Sequence, residues 1–233
     1  MKIYSISSWF QKRLPTAVLA VLLLIPASAM AASVYIPHIT GTGGVWRDFL
    51  QVDNPTQMEA FFTVTIYDNG ADVFTETYSV EALGERVIDL KTLAASFNSA
   101  TGIVQYDDSF QLNIRLSYEN KSAGGVAEFR LDNFVGNPIG FFFSGFTPAV
   151  TWKAISITNW GGSEEITLFA LGDSGVLGIE KIMVRQGRKV VGVHTEWFPT
   201  VDQSDIKKII AVSEGTAMNG VTIAGDDANS FLL

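Results

Sequence analysis

The residue types that could do chemistry are few. His38 and His194 are the only imidazoles in the chain, and there is no cysteine. The lack of Cys removes a thiol nucleophile, a disulfide framework, a Cys-ligated zinc or iron–sulfur centre and a lipid-bearing N-terminal Cys. Two His without a His-Glu-x-x-His spacing cannot build a His-rich metal site. Acid–base chemistry remains open. Read as a strand, His194-Thr195-Glu196 places an imidazole and a carboxylate on one side, with Trp197 next in line. That is the arrangement of a ligand-binding or general acid–base pair, and its alternative is a solvent-facing strand end. Asp107-Asp108 and Asp226-Asp227 are carboxylate pairs that Ca²⁺, which takes several hard oxygen ligands, could use. Neither has the spaced acidic pattern of a calcium loop, so both are read as polar turns and no cofactor is expected. Asn120-Lys121-Ser122 matches a glycosylation sequon.

Charge and composition narrow the setting. Sixteen Lys and Arg against 24 Asp and Glu give a net charge of −8, the wrong sign for a nucleic-acid binder that must displace counterions. An apolar fraction of 47% with 17% charged residues excludes a disordered chain. The start of the chain reads as an address. Lys2, Lys12 and Arg13 precede an apolar run from Leu14 to Ile25, followed by Pro26-Ala27-Ser28-Ala29-Met30-Ala31-Ala32. This is the order of a secretory signal peptide cleaved after Ala29 or Ala31, an uncleaved anchor being the alternative. The apolar run falls short of the ~20 residues that cross a bilayer. The expectation is an exported protein, secreted, on the cell surface or periplasmic, with no membrane segment in its mature part.

The elements that would position these residues are written twice. Val34 to Ile39 before Trp46 matches Gly140 to Gly145 before Trp152. Leu50 to Asn54 matches Ile155 to Asn159, Asp68-Asn69-Gly70 matches Asp173-Ser174-Gly175, and Gly84 to Ile88 matches Gly187 to Val191. Ile114 and Leu116 match Val221 and Ile223, and Phe129-Arg130-Leu131 matches Phe231-Leu232-Leu233. The matches keep their order while the offset drifts by a few residues, as an internal duplication with loop changes would produce. The joint falls at Asp132 to Pro138, where Asn, Gly and Pro cluster. The organisation expected is a leader over 1–31, one repeat over 32–135 and a second over 136–233.

Within each copy the hydrophobic period is two. Phe62, Val64 and Ile66 alternate with Thr63, Thr65 and Tyr67, and Ile114, Leu116 and Tyr118 with Asn113, Arg115 and Ser117. Such alternation buries one face of a strand and wets the other. Asp68-Asn69-Gly70 between two such runs predicts a tight hairpin. Short strands punctuated by turns predict an all-β protein of two tandem antiparallel β-sandwiches, with one helical candidate at Leu90 to Phe97. The Tyr35-Ile36-Pro37-His38-Ile39 start, the Trp, the Val52-Asp53-Asn54-Pro55 strand end and the Ile66-Tyr67-Asp68-Asn69-Gly70 hairpin resemble tandem immunoglobulin-like repeat modules of secreted bacterial surface proteins. The resemblance implies a spacer, adhesive unit or ligand-binding module and names no specific family.

Duplication also sorts roles. Residues present in both copies, such as Trp46 with Trp152, Asn54 with Asn159 and Gly70 with Gly175, are read as scaffold. Gly172-Asp173-Ser174-Gly175 looks like the nucleophile signature of trypsin-like proteases. However, Val176-Leu177 follows it and His38 stands in Ile-Pro-His-Ile, outside that family's pattern. The first copy has the same turn without a Ser, so the turn accounts for the residues.

One asymmetry points to a surface. The second face of Phe61 to Tyr67 carries Thr63, Thr65 and Tyr67, whereas Ile166 to Leu171 is apolar at nearly every position. A strand apolar on both sides is buried on both sides. Leu168 and Ala170, with Phe142 of the Phe141-Phe142-Phe143 run and with His194, Glu196 and Trp197, therefore form the candidate binding or association surface. A contact between the two repeats is the alternative. The function expected is a non-catalytic structural, adhesive or ligand-binding module. It would take a protein or polysaccharide partner or self-associate through repeat 2. A hydrolase using carboxylates and a periplasmic two-domain chaperone are the alternatives.

Overall fold

The computed structural model describes residues 31–94, 96–98, 100–121, 126–133, 135–142, 152–162, 164–215, 217–225 and 230–232. The expected leader lies almost wholly outside them, as do Asp226 and Asp227.

Alternating side chains build eight strands into the first unit. One antiparallel sheet runs β1 (Ala31–Ile39), β6 (Ala100–Asp107), β3 (Ala60–Asp68), β4 (Ala71–Val80). The other runs β5 (Glu85–Asp89), β2 (Trp46–Asp53), β7 (Asn113–Asn120), β8 (Val126–Arg130). Phe62, Val64 and Ile66 of one sheet meet Leu50, Val52, Ile114 and Leu116 of the other in one buried cluster. The hairpin predicted at Asp68 forms: Asn69 and Gly70 take φ of 52° and 81°, which Asn and Gly tolerate, and they join β3 to β4.

The second unit repeats the plan. Its sheets are β9 (Ile139–Phe142), β14 (Lys208–Val212), β11 (Glu165–Gly172), β12 (Gly175–Met183), and β13 (Lys189–Val193), β10 (Trp152–Asn159), β15 (Met218–Gly225), β16 (Ser230–Leu232). Raising each strand number of the first unit by eight gives the strand order of the second. Ile155, Ile157, Ile166, Leu168, Ala170 and Ile209 fill its core. Asn54 and Asn159 do the same work in the two units. Each side-chain oxygen accepts from the backbone N–H two residues on, Thr56 or Gly161, at 3.0 and 2.9 Å. Each carboxamide nitrogen donates to the carbonyl at the close of the long hairpin, Val80 or Val184.

Several sequence expectations are corrected. The helical candidate at Leu90 to Phe97 is shorter than its span: among the described residues there, Leu90–Thr92 forms one 3₁₀ turn, capped by Asp89. His194–Trp197 is not strand but a single helical turn, α1. The strand parity on which the His194–Glu196 pair was read therefore does not apply to this segment. Val221 and Ile223 are one residue out of register with Ile114 and Leu116. The pairing Ile157 with Gly220 sets Gly220 and Thr222 toward the second core, and Val221 and Ile223 toward the first unit.

The strand buried on both faces is β10 rather than β11. Ile155 and Ile157 enter the second core, while Ala154, Ser156 and Thr158 are buried against the first unit. The Ser156 and Thr158 hydroxyls both donate to the Pro37 carbonyl, each at 3.2 Å. Trp160, just past β10, packs its ring 5.1 Å from Tyr35 and 5.9 Å from Tyr67, and its indole N–H donates to Asn219 Oδ1 at 2.9 Å.

Candidate functional site

Two regions bring together groups that could act: a polar cluster in the junction and an apolar sheet face on the second unit.

The junction cluster is assembled by β13 of the second unit and β1, β2, β6 and β7 of the first. Lys189 opens β13 beside the first unit, and its Nζ lies 3.0 Å from His38 Nδ1, 3.2 Å from the Ile39 carbonyl and 2.6 Å from the Ala100 carbonyl. Asp48 has the strand parity of Leu50 and Val52, so it points inward and is wholly buried. Its carboxylate accepts from the Thr40 N–H at 2.8 Å and the Thr40 hydroxyl at 2.7 Å. The Tyr118 hydroxyl donates to the His38 carbonyl. Burial dominates the electrostatics. It lowers Lys189 to about 7, against the pull of Asp48 and Asp68. It raises Asp48 to about 6, against the Thr40 hydrogen bonds and the Lys91 and Lys189 charges. Burial, then the Lys189 charge, holds the His38 imidazole well below its usual range. Burial, then Asp48, keeps the Tyr118 phenol well above its own.

Lys189 and Asp48 are thus moved toward neutrality, and His38 and Tyr118 away from it; perturbed groups of this kind occur at catalytic sites and also in structural networks. Here the donors and acceptors are spent within the protein. His38, Asp48 and Lys189 do not line the cleft beside Phe129 and Phe141, the groove beside Phe169 or the cleft beside Asp173. The arrangement holds the two units together.

The second region is the outer face of the β12-β11-β14-β9 sheet. Leu168 and Ala170 do not belong to it, because both are wholly buried in the second core. The outward residues of β11 are Thr167, Phe169 and Leu171. Phe169 pairs with Ile179 on one side and Ile210 on the other, and Thr167 with Lys181 and Val212. In the first unit the register-matched positions are Thr65 with Thr75 and Ile103, and Thr63 with Thr77 and Gln105. Those threonines bond across the strands, Thr63 to Thr77 at 2.9 Å and Thr75 to Thr65 at 3.2 Å. Where the first unit carries hydroxyls, the second sets a half-buried Phe169 and an exposed Ile179 and, at the place of Ser79, an exposed Met183, while Glu165 stands where the first unit exposes Phe61. Ile179 is 59% exposed and Met183 66%. A shallow groove of about 320 Å³ crosses the face, bordered by Glu165, Thr167, Phe169, Lys181, Val212 and Glu214.

The remaining sequence candidates fall elsewhere. Glu196 accepts from the Val193 N–H at 3.2 Å, capping its own turn. Trp197 packs on the second core over Gly192. The side chains of Phe142, His194 and Trp152 lie outside the described residues. Ser174 stands in the exposed turn between β11 and β12. The cleft beside it is lined by Asp173, Leu177, Asp205 and Lys207, without an imidazole. Asp107 caps a 3₁₀ turn by accepting from the Ser109 N–H. Among the described residues, no three of His, Cys, Asp or Glu gather as a metal site would require.

Lys189, Asp48 and Trp160 escaped the sequence reasoning. Asp48 alone left a signal there, an acid at the core parity of its strand. Comparison of the chain with models of protein families, with curated proteins and with solved structures gave no match.

Proposed function

We propose that this is an exported, non-catalytic β-sandwich protein of structural or adhesive role, built from two copies of one module and binding through the outer β12-β11-β14-β9 face of the second. The carrying observation is the exchange, at matched register, of Thr65, Thr75 and Ser79 for Phe169, Ile179 and Met183. Exposed Ile179 and Met183 beside the half-buried Phe169 ring make an apolar patch of the kind that marks an interaction surface. The matched strand orders and the shared role of Asn54 and Asn159 support the duplication. The charged start, apolar run and small-residue exit of the first 31 residues support export.

A panel of immobilised polysaccharides and surface proteins, run with ester, glycoside and peptide substrates, tests this function. The expected result is saturable binding that Phe169→Asp abolishes, with no turnover of any substrate. Turnover that disappears on substituting a carboxylate pair would establish the hydrolase instead.

A further inference from the structure

We propose that the cleft between the two units, beside β1, β8, β9 and β15, binds a small neutral saccharide, held by Asn219, Arg130 and Asp132 against the rings of Tyr35 and Phe129. This site is separate from the Phe169 face, and neither depends on the other.

The cleft follows from the way the units join. Tyr35 of β1 packs on Trp160 at the junction. Phe129, Arg130 and Asp132 lie at the end of β8, where the chain leaves the first sandwich. Gly140 of β9 and Asn219 of β15 stand on the side of the second unit. On β15, Asn219 has the parity of Val221 and Ile223, so it faces the first unit. The cleft holds about 330 Å³, at the small end of ligand pockets, which favour the interfaces between domains.

Asn219 carries the argument. It is 7% exposed. The Trp160 indole N–H can only donate, so the carboxamide oxygen is the atom that meets it at 2.9 Å. That bond fixes the amide. Its Nδ2, which has no partner among the described residues, is left to the cleft. Buried polar groups are normally hydrogen-bonded, and an acceptor on a bound molecule completes this one.

The remaining lining defines that molecule. Arg130 gives an N–H to Asn113 Oδ1 at 3.1 Å and has further N–H donors on its guanidinium. The Asp132 carboxylate can only accept. These are the charged residues of the lining, and their signs oppose, so the site selects no net charge. The net charge of −8 on the chain disfavours an anion as well. An uncharged ligand that meets both donors and acceptors needs hydroxyls, which are both. Tyr35 and Phe129 add aromatic surface for an apolar face. A sugar ring combines hydroxyls at its edge with an apolar C–H face.

Isothermal titration calorimetry of the purified chain with glucose, galactose, mannose, N-acetylglucosamine, maltose and cellobiose tests this. The expected result is saturable binding of at least one, with a Kd of about 1 mM or tighter. Binding should also change tryptophan emission, and Trp160→Phe should remove that change, because Trp160 touches both Tyr35 and Asn219. Asn219→Asp keeps an acceptor for the indole and removes the donor. Arg130→Ala removes the guanidinium from an exposed strand end. Each should weaken binding about tenfold or more. If Asn219→Asp fails to fold, Arg130→Ala makes the test alone. No saturation by any of these sugars up to about 50 mM overturns the proposal, as does binding that the folded variants leave intact. Binding lost in Phe169→Asp but not in Arg130→Ala puts the sugar on the outer sheet face and overturns the cleft. Salt-sensitive binding of glycine or glutamate in place of every sugar overturns the saccharide.

Discussion

Lys189 of the second unit lies 3.0 Å from the Nδ1 of His38 in the first, in a junction that also supplies it with the carbonyls of Ile39 and Ala100. The ammonium has three acceptors, one for each of its N–H bonds. The same burial that makes these bonds strong penalises the charge, which is why Lys189 is lowered to about 7. Through this one side chain, the contact between the units is linked to pH.

The sign of that link is fixed. A base whose folded pKa is depressed contributes stability that is full above its unfolded value near 10.5 and is lost as pH falls toward about 7. Lys189→Met removes the titration along with the hydrogen bonds. The variant is expected to lose about 1–3 kcal/mol at pH 9, where its two carbonyls go without a donor. The loss should shrink at pH 6. Urea denaturation of both proteins from pH 6 to 10 measures the difference. A loss of equal size at both pH values would show that Lys189 does not titrate on folding.

Asp48 titrates in the opposite sense. Its folded pKa is raised from 3.8 to about 6, so its contribution is full below 3.8 and lost as pH rises through 6. Asp48→Asn keeps an acceptor for Thr40 and abolishes the titration. Relative to the wild type, Asp48→Asn should therefore be less stable at pH 4 than at pH 7. Taking the difference between two proteins cancels the other carboxylates. A difference that stays flat between pH 4 and 7 would place the Asp48 carboxylate in an ordinary environment.

Much of the fold was legible from the period of two. Phe62, Val64, Ile66, Ile114, Leu116 and Tyr118 occupy the core as their alternation requires. The Asn69-Gly70 turn forms because its backbone needs positive φ. The asymmetry between β3 and β11 was visible as well, although the inward and outward residues were exchanged. A run apolar at every position does not reveal which parity faces the core, and Leu168 proved to be inward and Phe169 outward. The junction was not legible. Ser156 and Thr158 have the composition of a wetted strand face, and the Pro37 carbonyl that satisfies them is more than a hundred residues away in sequence. Lys189 in Arg188-Lys189-Val190 carries no local sign of burial. One residue of slip in β15 reversed the faces of Val221 and Ile223, because every register step exchanges the two sides of a strand.

Gly192 supports the turn that carries Trp197. A Cβ at this position would stand 2.4 Å from the Trp197 ring and 2.5 Å from its next atom, closer than any side chain tolerates. The indole packs against β13 because Gly192 has no side chain. Gly192→Ala should displace the ring and cost about 1–3 kcal/mol by overpacking. Near-ultraviolet circular dichroism reports the altered indole setting, and thermal denaturation the loss. An unchanged aromatic spectrum in a folded variant would show that the ring does not sit on Gly192.

Trp160 is the apolar counterpart of the Lys189 contact. Its ring lies against Tyr35 and Tyr67 of the first unit while its N–H is held by Asn219 of the second. The indole therefore belongs to both units. Truncation removes two aromatic contacts and one hydrogen bond, worth about 2–3 kcal/mol together. The cores of Phe62 and Leu168 on either side remain complete. The loss falls on the coupling between the units and not on either core. Trp160→Ala should split a single calorimetric transition into two, since each sandwich then unfolds at its own temperature. Trp160→Phe, which keeps the rings in contact and gives up only the N–H bond, should retain one transition at a slightly lower Tm. Two transitions already present in the wild type, or a single one persisting in Trp160→Ala with unchanged Tm, would mean that the units are not held together at this residue.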